Sequence, residues 1–272
     1  MAIAEVTFVN GKTQIFGIIG DPIEQVRSPE MFTTIFVERG VNAIMLPVHV
    51  RPGDFDSVVA NLKKIPNLGG LVFTIPYKGR ACDFADELGP QAKVAGVINA
   101  LGRGKDGVWR GDIFDGLGCV EAFRRRGQNF KGKSVMLIGS GGAGSAIAVA
   151  VAYEGPRALR IADVDTAKAE ALAQRVRGVD KSIAVEVGPV KLEGIDILMN
   201  ATPVGMLTDA RIPFEVTSLP RQLIVFDAIV KPENTPLLQL ADKCGCMTIR
   251  GREMMNGQVS KMVDFFGHPA KG

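Results

Sequence analysis

The stretch KSVMLIGSGGAGSAIAVAVAY, residues 133–153, decides the fold. Its first part, SVMLIG, is an unbroken apolar run of strand length, as a parallel strand buried on both faces requires. It leads into Gly139, Gly141 and Gly144, which satisfy G-x-G-x-x-G, and then into an alanine-rich helical segment. Each glycine answers a separate need: Gly139 for the tight turn, Gly141 for backbone approach to a pyrophosphate, Gly144 for close packing of helix on strand. The helix N-terminus presents free N–H groups and a partial positive charge to phosphates. Ser140, Gly142 and Ala143 complete the loop and join the glycines as candidate cofactor contacts. A glycine pattern alone says little; the strand before it and the helix after it supply the context that a dinucleotide site demands.

The next apolar run, ALRIAD, ends at Asp163, 19 positions after Gly144. A carboxylate there can accept from both ribose hydroxyls and would repel the extra phosphate of NADP, so NAD is the expected cofactor. Asp165 adds to that repulsion, although its place directly before TAKAEALAQRV also suits a helix N-cap. The strand-like runs SIAVEVG, DILMNATPVGM, LIVFDAIV and CMTIRG follow. In such a sheet, ligands lie at the carboxyl ends of the strands. Ala201, Thr202 and Pro203 after Asn200, and Ala228 after Asp227, are therefore candidates for the nicotinamide side. Asn, Thr and Pro are also ordinary turn formers.

Upstream, TQIFGIIG, NAIMLPVHV and GGLVFTIP read as strands, and PEMFTTIFVERG and DFDSVVANLKKI as helices between them. This rhythm predicts parallel sheets covered by helices. A domain boundary is expected within residues 111–133. There GDIFDGLG reads as a turn, and Arg124 to Arg126 form a solvated basic helix end rather than an anion site.

At 272 residues the chain suits about two domains of ~150 residues. With 46% hydrophobic and 22% charged residues it reads as an ordinary globular protein. The formal charge of +3 gives no reason to expect nucleic acid or a membrane surface as partner. Four cysteines (Cys82, Cys119, Cys244, Cys246) and two distant histidines (His49, His268) argue against a disulfide scaffold, a zinc site and a Ser-His-Asp hydrolase. No metal is expected. The opening MAIAEVTFVNGKTQ lacks a basic n-region and does not read as a signal peptide, so a cytoplasmic location is expected.

The order of motifs resembles the shikimate/quinate dehydrogenase family along nearly the whole chain. The resemblance is carried by GIIGDPIEQVRSP, GGLVFTIPYK, AGVINALG, GDIFDGLG, GSGGAGSA, MNATPVGM, VFDAIVKPENTPLL and GREMMNGQ. It implies Lys78 and Asp115 as the catalytic pair, and Ser28, Thr74, Asn99 and Gln258 as substrate-binding residues. Gly251 and Met254 of the last block are implied as further cofactor contacts. Considered alone, Lys78 reads as a surface lysine and Asp115 as a turn aspartate.

The chain departs from the family pattern where substrate is bound. Val26 replaces a carboxylate-binding serine, Val72 an asparagine, Ile113 and Phe114 an Asn-Thr pair, and Val230 a tyrosine. Asp163 and Val164 replace the NADP-type Asn-Arg pair, in line with NAD. Each lost partner for a buried substrate polar group costs about 1–3 kcal/mol, so a less polar substrate than shikimate is expected. Arg27 could compensate by clamping a carboxylate through two parallel bonds, or could simply face solvent.

The expected fold is α/β in two domains. A substrate domain (1–117) precedes a Rossmann NAD-binding domain (118–250), and a C-terminal helix (251–272) returns to the substrate domain. Substrate is expected in the cleft between the domains. The expected activity is hydride transfer between NAD and a ring hydroxyl of shikimate, quinate or a related cyclic hydroxy acid, by a monomer or homodimer. The alternative is a non-catalytic NAD-binding sensor or scaffold that retains the fold.

Overall fold

A computed structural model of the protein describes residues 9–270. The opening stretch read against a signal peptide lies mostly outside the described residues, as do the last two positions of the expected C-terminal segment. The chain divides into two compact units: one takes the chain up to Phe114 together with Val259 onward, the other is Asp115–Gln258.

The first unit holds β1 (Gln14–Gly20), α1 (Ser28–Glu38), β2 (Ala43–His49), α2 (Phe55–Leu62), β3 (Leu68–Phe73), β4 (Glu87–Leu88), α3 (Pro90–Ala95), β5 (Ala100–Arg103) and β6 (Trp109–Asp112). They form one sheet in the order β2-β1-β3-β5-β6-β4. β1 pairs in parallel with β2 and β3, as the β-then-α rhythm predicts. β5 runs antiparallel to both β3 and β6, which that rhythm did not predict. No helix separates β5 from β6, so the chain can only return beside itself, and antiparallel pairing needs no crossover. The turn between them contains Asp106-Gly107, with Gly107 at φ +82°, a recognisable hairpin signal.

An aromatic cluster fills this unit's core. Phe16 of β1 meets Phe36 of α1 at 4.9 Å and Phe266 at 5.0 Å between ring centroids. Arg39 fastens the returning C-terminal segment: its guanidinium donates to Asp264 Oδ1 at 2.6 Å and to Ser260 Oγ at 2.7 Å.

The second unit holds α4 (Asp115–Arg125), β7 (Ser134–Ile138), α5 (Gly142–Tyr153), β8 (Ala158–Ala162), α6 (Thr166–Val179), β9 (Ala184–Val187), β10 (Ile197–Asn200), β11 (Ile224–Asp227), α7 (Pro236–Lys243) and β12 (Met247–Arg250). α8 (Gly251–Phe265) begins in this unit and continues into the first. The strands form a wholly parallel sheet in the order β12-β11-β10-β7-β8-β9. This is the doubly wound order, with its reversal between β7 and β10. Alternate residues of β7 serve the two faces: Val135 and Leu137 pack with α4, α5 and α6, while Met136 and Ile138 pack with α7. α5 is buried from Gly144 to Ala152, which explains its apolar character on all sides. α6 is capped by Asp165, whose carboxylate accepts from Lys168 N at 3.2 Å, and α7 by Thr235, whose hydroxyl accepts from Leu238 N at 3.3 Å.

Where GDIFDGLG was expected to be a turn, Asp115 instead opens α4. Two helical glycines would ordinarily cost about 1 kcal/mol each. Here they allow close helix crossings. A Cβ on Gly116 would lie 2.2 Å from the Ala146 carbonyl oxygen of α5, and one on Gly118 2.4 Å from that of Met254 in α8. The basic end of α4 is a solvated face, as expected: Arg124 and Arg125 pair with Glu121, and Arg126 with Glu253. Among the described residues, no helix is long and apolar enough to cross a membrane.

Candidate active site

In the first unit, the candidate substrate residues gather at the carboxyl end of the parallel strands. Thr74 follows β3 directly, and its N–H donates to the Ile19 carbonyl of β1 at 2.9 Å. The loop carrying Lys78 is held at both sides. Ile98 N donates to the Lys78 carbonyl at 2.9 Å. The neighbouring Tyr77 is buried, with its ring stacked on Phe55 at 4.2 Å and its hydroxyl donating to the Val50 carbonyl. Lys78 itself is half-buried. Asn99 lies beside this loop: its carbonyl accepts from Phe73 N at 2.9 Å, and its side-chain oxygen accepts from Phe114 N at 3.0 Å. Thr74, Lys78 and Asn99 are therefore tied to one another through backbone. Ser28 is the first residue of α1 and half-buried. Arg27, just before it, is exposed, and its guanidinium is engaged by Glu30 of the same turn.

The residues that depart from the family pattern fall into two groups. Val72, Ile113 and Phe114 are buried, with Phe114 against Phe265 at 5.2 Å. Val26 and Val230 are half-buried.

In the second unit, Asp115 and Gln258 are brought towards each other by the α4–α8 crossing. Gly118 stands one turn after Asp115, and a Cβ on it would lie 2.9 Å from Gln258 Cβ. Asp115 is buried and Gln258 half-buried.

The glycine turn sits at the reversal between β7 and β10. Gly139 has φ +100°, which only glycine adopts readily. A Cβ on Gly139 would lie 2.9 Å from both the Ala201 carbonyl carbon and the Thr202 methyl, so the turn lies against the loop after β10. A Cβ on Gly144 would lie 2.0 Å from the Gly139 carbonyl oxygen, whereas one on Gly141 would meet nothing within 4 Å. α5 has no side-chain cap bond at its N-terminus, where an α-helix leaves its first N–H groups without partners within the helix. This is a site that fits an anionic pyrophosphate.

Asp163 directly follows β8, beside this turn. Its Oδ2 accepts from Ser140 N and Ser140 Oγ, each at 2.6 Å, and its Oδ1 accepts from Asp165 N at 2.9 Å. Burial works against its charge, but the Ser140 hydroxyl and the N–H groups of Asp165 and Ser140 outweigh it, and the carboxyl lies below its usual range. Asp165 is paired with Lys168 at 3.2 Å in addition to capping α6. Val164 between them is fully exposed.

Ala228 follows β11, and a Cβ on Gly251 would lie 2.5 Å from its carbonyl oxygen. The loops after β7, β10 and β11 and the start of α8 thus converge. Pro203 is exposed on the second of them, and Met254 is buried in α8.

Beneath these loops lies a polar cluster of which the motifs gave only Asn200 and Asp227, and those only as strand ends. Asp227 is fully buried. It accepts from Thr235 Oγ1 at 2.7 Å, Ile229 N at 3.0 Å and Asn200 Nδ2 at 3.1 Å. Burial pushes its carboxyl up to about 6 against the pull of these three donors. Thr235 was missed, although Thr-Pro at a helix start is a readable cap signal.

Comparison with known proteins adds three findings. The family model for the shikimate dehydrogenase substrate binding domain matches residues 18–101, and that for shikimate / quinate 5-dehydrogenase matches residues 121–230. The shikimate dehydrogenase (NADP(+)) of Rubrobacter xylanophilus is 32% identical over 253 residues, which span 91% of this chain and 88% of that protein. Two solved structures share the fold. Shikimate 5-dehydrogenase from Listeria monocytogenes, in complex with shikimate and NAD, has a TM-score of 0.86 at 28% identity, covering 96% of this chain and 94% of that one. The ligand-free 5-ketofructose reductase of a Gluconobacter species has a TM-score of 0.83 at 26% identity, covering 96% of each chain.

Proposed function

The chain belongs to the shikimate/quinate dehydrogenase family, and on that premise we propose that it is an NAD-dependent dehydrogenase of a cyclic hydroxy acid related to, but less polar than, shikimate or quinate. A bound nicotinamide would supply the hydride acceptor or donor for a secondary ring alcohol. The chain's own residues do the rest. Lys78 is the proton-exchanging group at the reacting oxygen, where an ammonium donates to a ketone and a lysine accepts the proton as the alcohol is oxidised. Asp115 completes the catalytic pair as an acceptor that fixes a substrate hydroxyl. Ser28, Thr74, Asn99 and Gln258 orient the remaining polar groups of the ring, which turns a bimolecular encounter into an ordered one.

The substrate reading rests on the apolar replacements at Val26, Val72, Ile113, Phe114 and Val230. A site built without these partners leaves substrate hydroxyls unpaired, so it disfavours the most hydroxylated acids. The Gluconobacter relative is named for a ketone other than dehydroshikimate, which supports a range of substrates on this architecture.

The observation that carries the cofactor choice is the pair Asp163 and Val164. A carboxylate held ionised at the end of β8 opposes a 2′-phosphate, and the fully exposed Val164 offers no cation to receive one. The Rubrobacter relative is named for NADP(+), and the Listeria protein was solved with NAD. In steady-state assays the wild-type protein is expected to favour NAD over NADP by at least about tenfold in kcat/KM. The double variant Asp163→Asn/Val164→Arg is expected to move that ratio about a hundredfold towards NADP, because it removes the like-charge clash and adds a phosphate-binding guanidinium. Overall affinity should fall as well, since an amide cannot accept all three of the Asp163 hydrogen bonds. A wild-type preference for NADP, or a ratio unmoved in the variant, refutes the cofactor reading.

A further inference from the structure

The buried cluster around Asp227 has no place in the chemistry assigned to Lys78 and Asp115, yet it lies under every loop assigned to the nicotinamide side. We infer that Asp227 is a positioning residue: with Asn200 and Thr235 it locks the loops after β10 and β11 in the form that receives the nicotinamide end of the dinucleotide. This rests on the reading that a dinucleotide lies across the reversal between β7 and β10.

The connections run outward from one carboxylate. Through Oδ1 it holds Ile229 N at 3.0 Å, which fixes the loop bearing Ala228. The same oxygen holds Asn200 Nδ2 at 3.1 Å, which leaves the Asn200 side-chain oxygen to accept from Thr202 N at 3.0 Å and Thr202 Oγ1 at 2.8 Å. Thr202 Oγ1 accepts in turn from Val204 N at 3.2 Å, so the turn Ala201-Thr202-Pro203 is bonded on both sides. Through Oδ2 the carboxylate holds Thr235 Oγ1 at 2.7 Å, and Thr235 is the cap of α7. Backbone joins the two loops as well, with Ala228 N donating to the Asn200 carbonyl at 2.9 Å. Gly139 lies against Ala201 and Thr202 on one side, and Gly251 against Ala228 and Ile229 on the other. Three segments of chain, the loops after β10 and β11 and the start of α7, therefore take their positions from a single acceptor. Only a carboxylate can serve three donors at this point without presenting a donor of its own. A buried carboxylate is costly, so an apolar core would hold these loops at less expense if folding were the only demand.

A positioning role and a purely structural one predict different binding behaviour. ADP-ribose carries the adenosine and pyrophosphate of NAD but no nicotinamide. It should contact the glycine turn and Asp163 alone, while NAD also reaches the loops after β10 and β11. Calorimetric titration with ADP-ribose and with NAD separates the two, using wild type, Asp227→Asn, Thr235→Val and Thr235→Ser, with thermal melts alongside. Asp227→Asn and Thr235→Val each remove one donor–acceptor match and keep the side-chain volume. Both are expected to bind ADP-ribose within about twofold of wild type and NAD about tenfold or more weakly, the loss typical of one buried hydrogen bond. Thr235→Ser, which restores the hydroxyl, is expected to recover NAD binding. Wild-type NAD affinity in both Asp227→Asn and Thr235→Val overturns the inference. So does an equal loss of both ligands, which marks a structural role. If the wild-type protein binds neither ligand, the dinucleotide reading itself fails and takes this inference with it. Wild-type binding of ADP-ribose with normal NAD affinity in the variants sinks the inference alone.

Discussion

Lys78→Ala is expected to lower kcat by at least about a thousandfold while leaving the NAD dissociation constant within about twofold of wild type. The loss is large because Lys78 is the group assigned to exchange the proton at the reacting oxygen. The two histidines are engaged by other side chains: His49 pairs with Asp21 at 2.8 Å, and His268 with Gln14 at 2.9 Å. Cofactor binding should survive, because the glycine turn and Asp163 belong to the second unit and Lys78 to the first. Folding should survive too. The loop is anchored by Tyr77 and by the Ile98 N–H bond to the Lys78 carbonyl, and neither depends on the lysine side chain. Steady-state kinetics with calorimetry on the same preparation tests this. Turnover close to wild type removes Lys78 from the mechanism.

The second large effect is expected at Gly144. An alanine there would place its Cβ 2.0 Å from the Gly139 carbonyl oxygen and 2.8 Å from its carbonyl carbon, both backbone atoms. Backbone cannot rotate aside as a flexible side chain can, so either the turn or the N-terminus of α5 must move. Overpacking of this kind costs about 1–3 kcal/mol of stability. The shift should cost NAD affinity about a hundredfold, because the N–H groups that face the pyrophosphate would no longer converge. Gly141→Ala is the informative companion, since a Cβ there meets nothing within 4 Å of protein. Its melting temperature should match wild type while NAD affinity falls, because the methyl would occupy ligand space. Thermal melts and calorimetry on the two variants check both statements. Undisturbed NAD binding in Gly144→Ala would contradict the assigned turn.

Those two glycines also indicate how far residues alone carried the interpretation. The second unit was legible strand by strand because each buried parallel strand is a short apolar run, each followed by glycine, Asp or a turn former. SVMLIG, ALRIAD and LIVFDAIV each became a strand of the parallel sheet. Asp165 was legible as a cap because the helix begins directly after it. The first unit was harder. AGVINALG is too short for alternation to show, and the antiparallel return at β5 is signalled only by Asp106-Gly107. GDIFDGLG was expected to be a turn on its glycines, and it opens a helix because those glycines serve close crossings with α5 and α8, which no local pattern reveals.

The candidate site was legible to a different degree. The glycine turn and Asp163 could be placed from spacing. Lys78 and Asp115 have no local signature, and only family resemblance singled them out. What joins Thr74, Lys78 and Asn99 is a set of backbone bonds between residues up to 26 positions apart in the chain. The Asp227 cluster escaped notice because its members, Asn200, Asp227 and Thr235, each look like a strand end or a cap when taken singly.

The most direct measurement is a kinetic screen of the wild-type protein for reduced nicotinamide, with NAD and with NADP. Substrates would be shikimate, quinate and cyclic hydroxy acids lacking one or more of the ring hydroxyls. Expected is turnover with NAD at least about tenfold ahead of NADP, fastest on an acid less hydroxylated than shikimate. Tight NAD binding with no turnover on any acid, or turnover favouring NADP, would contradict the central claim.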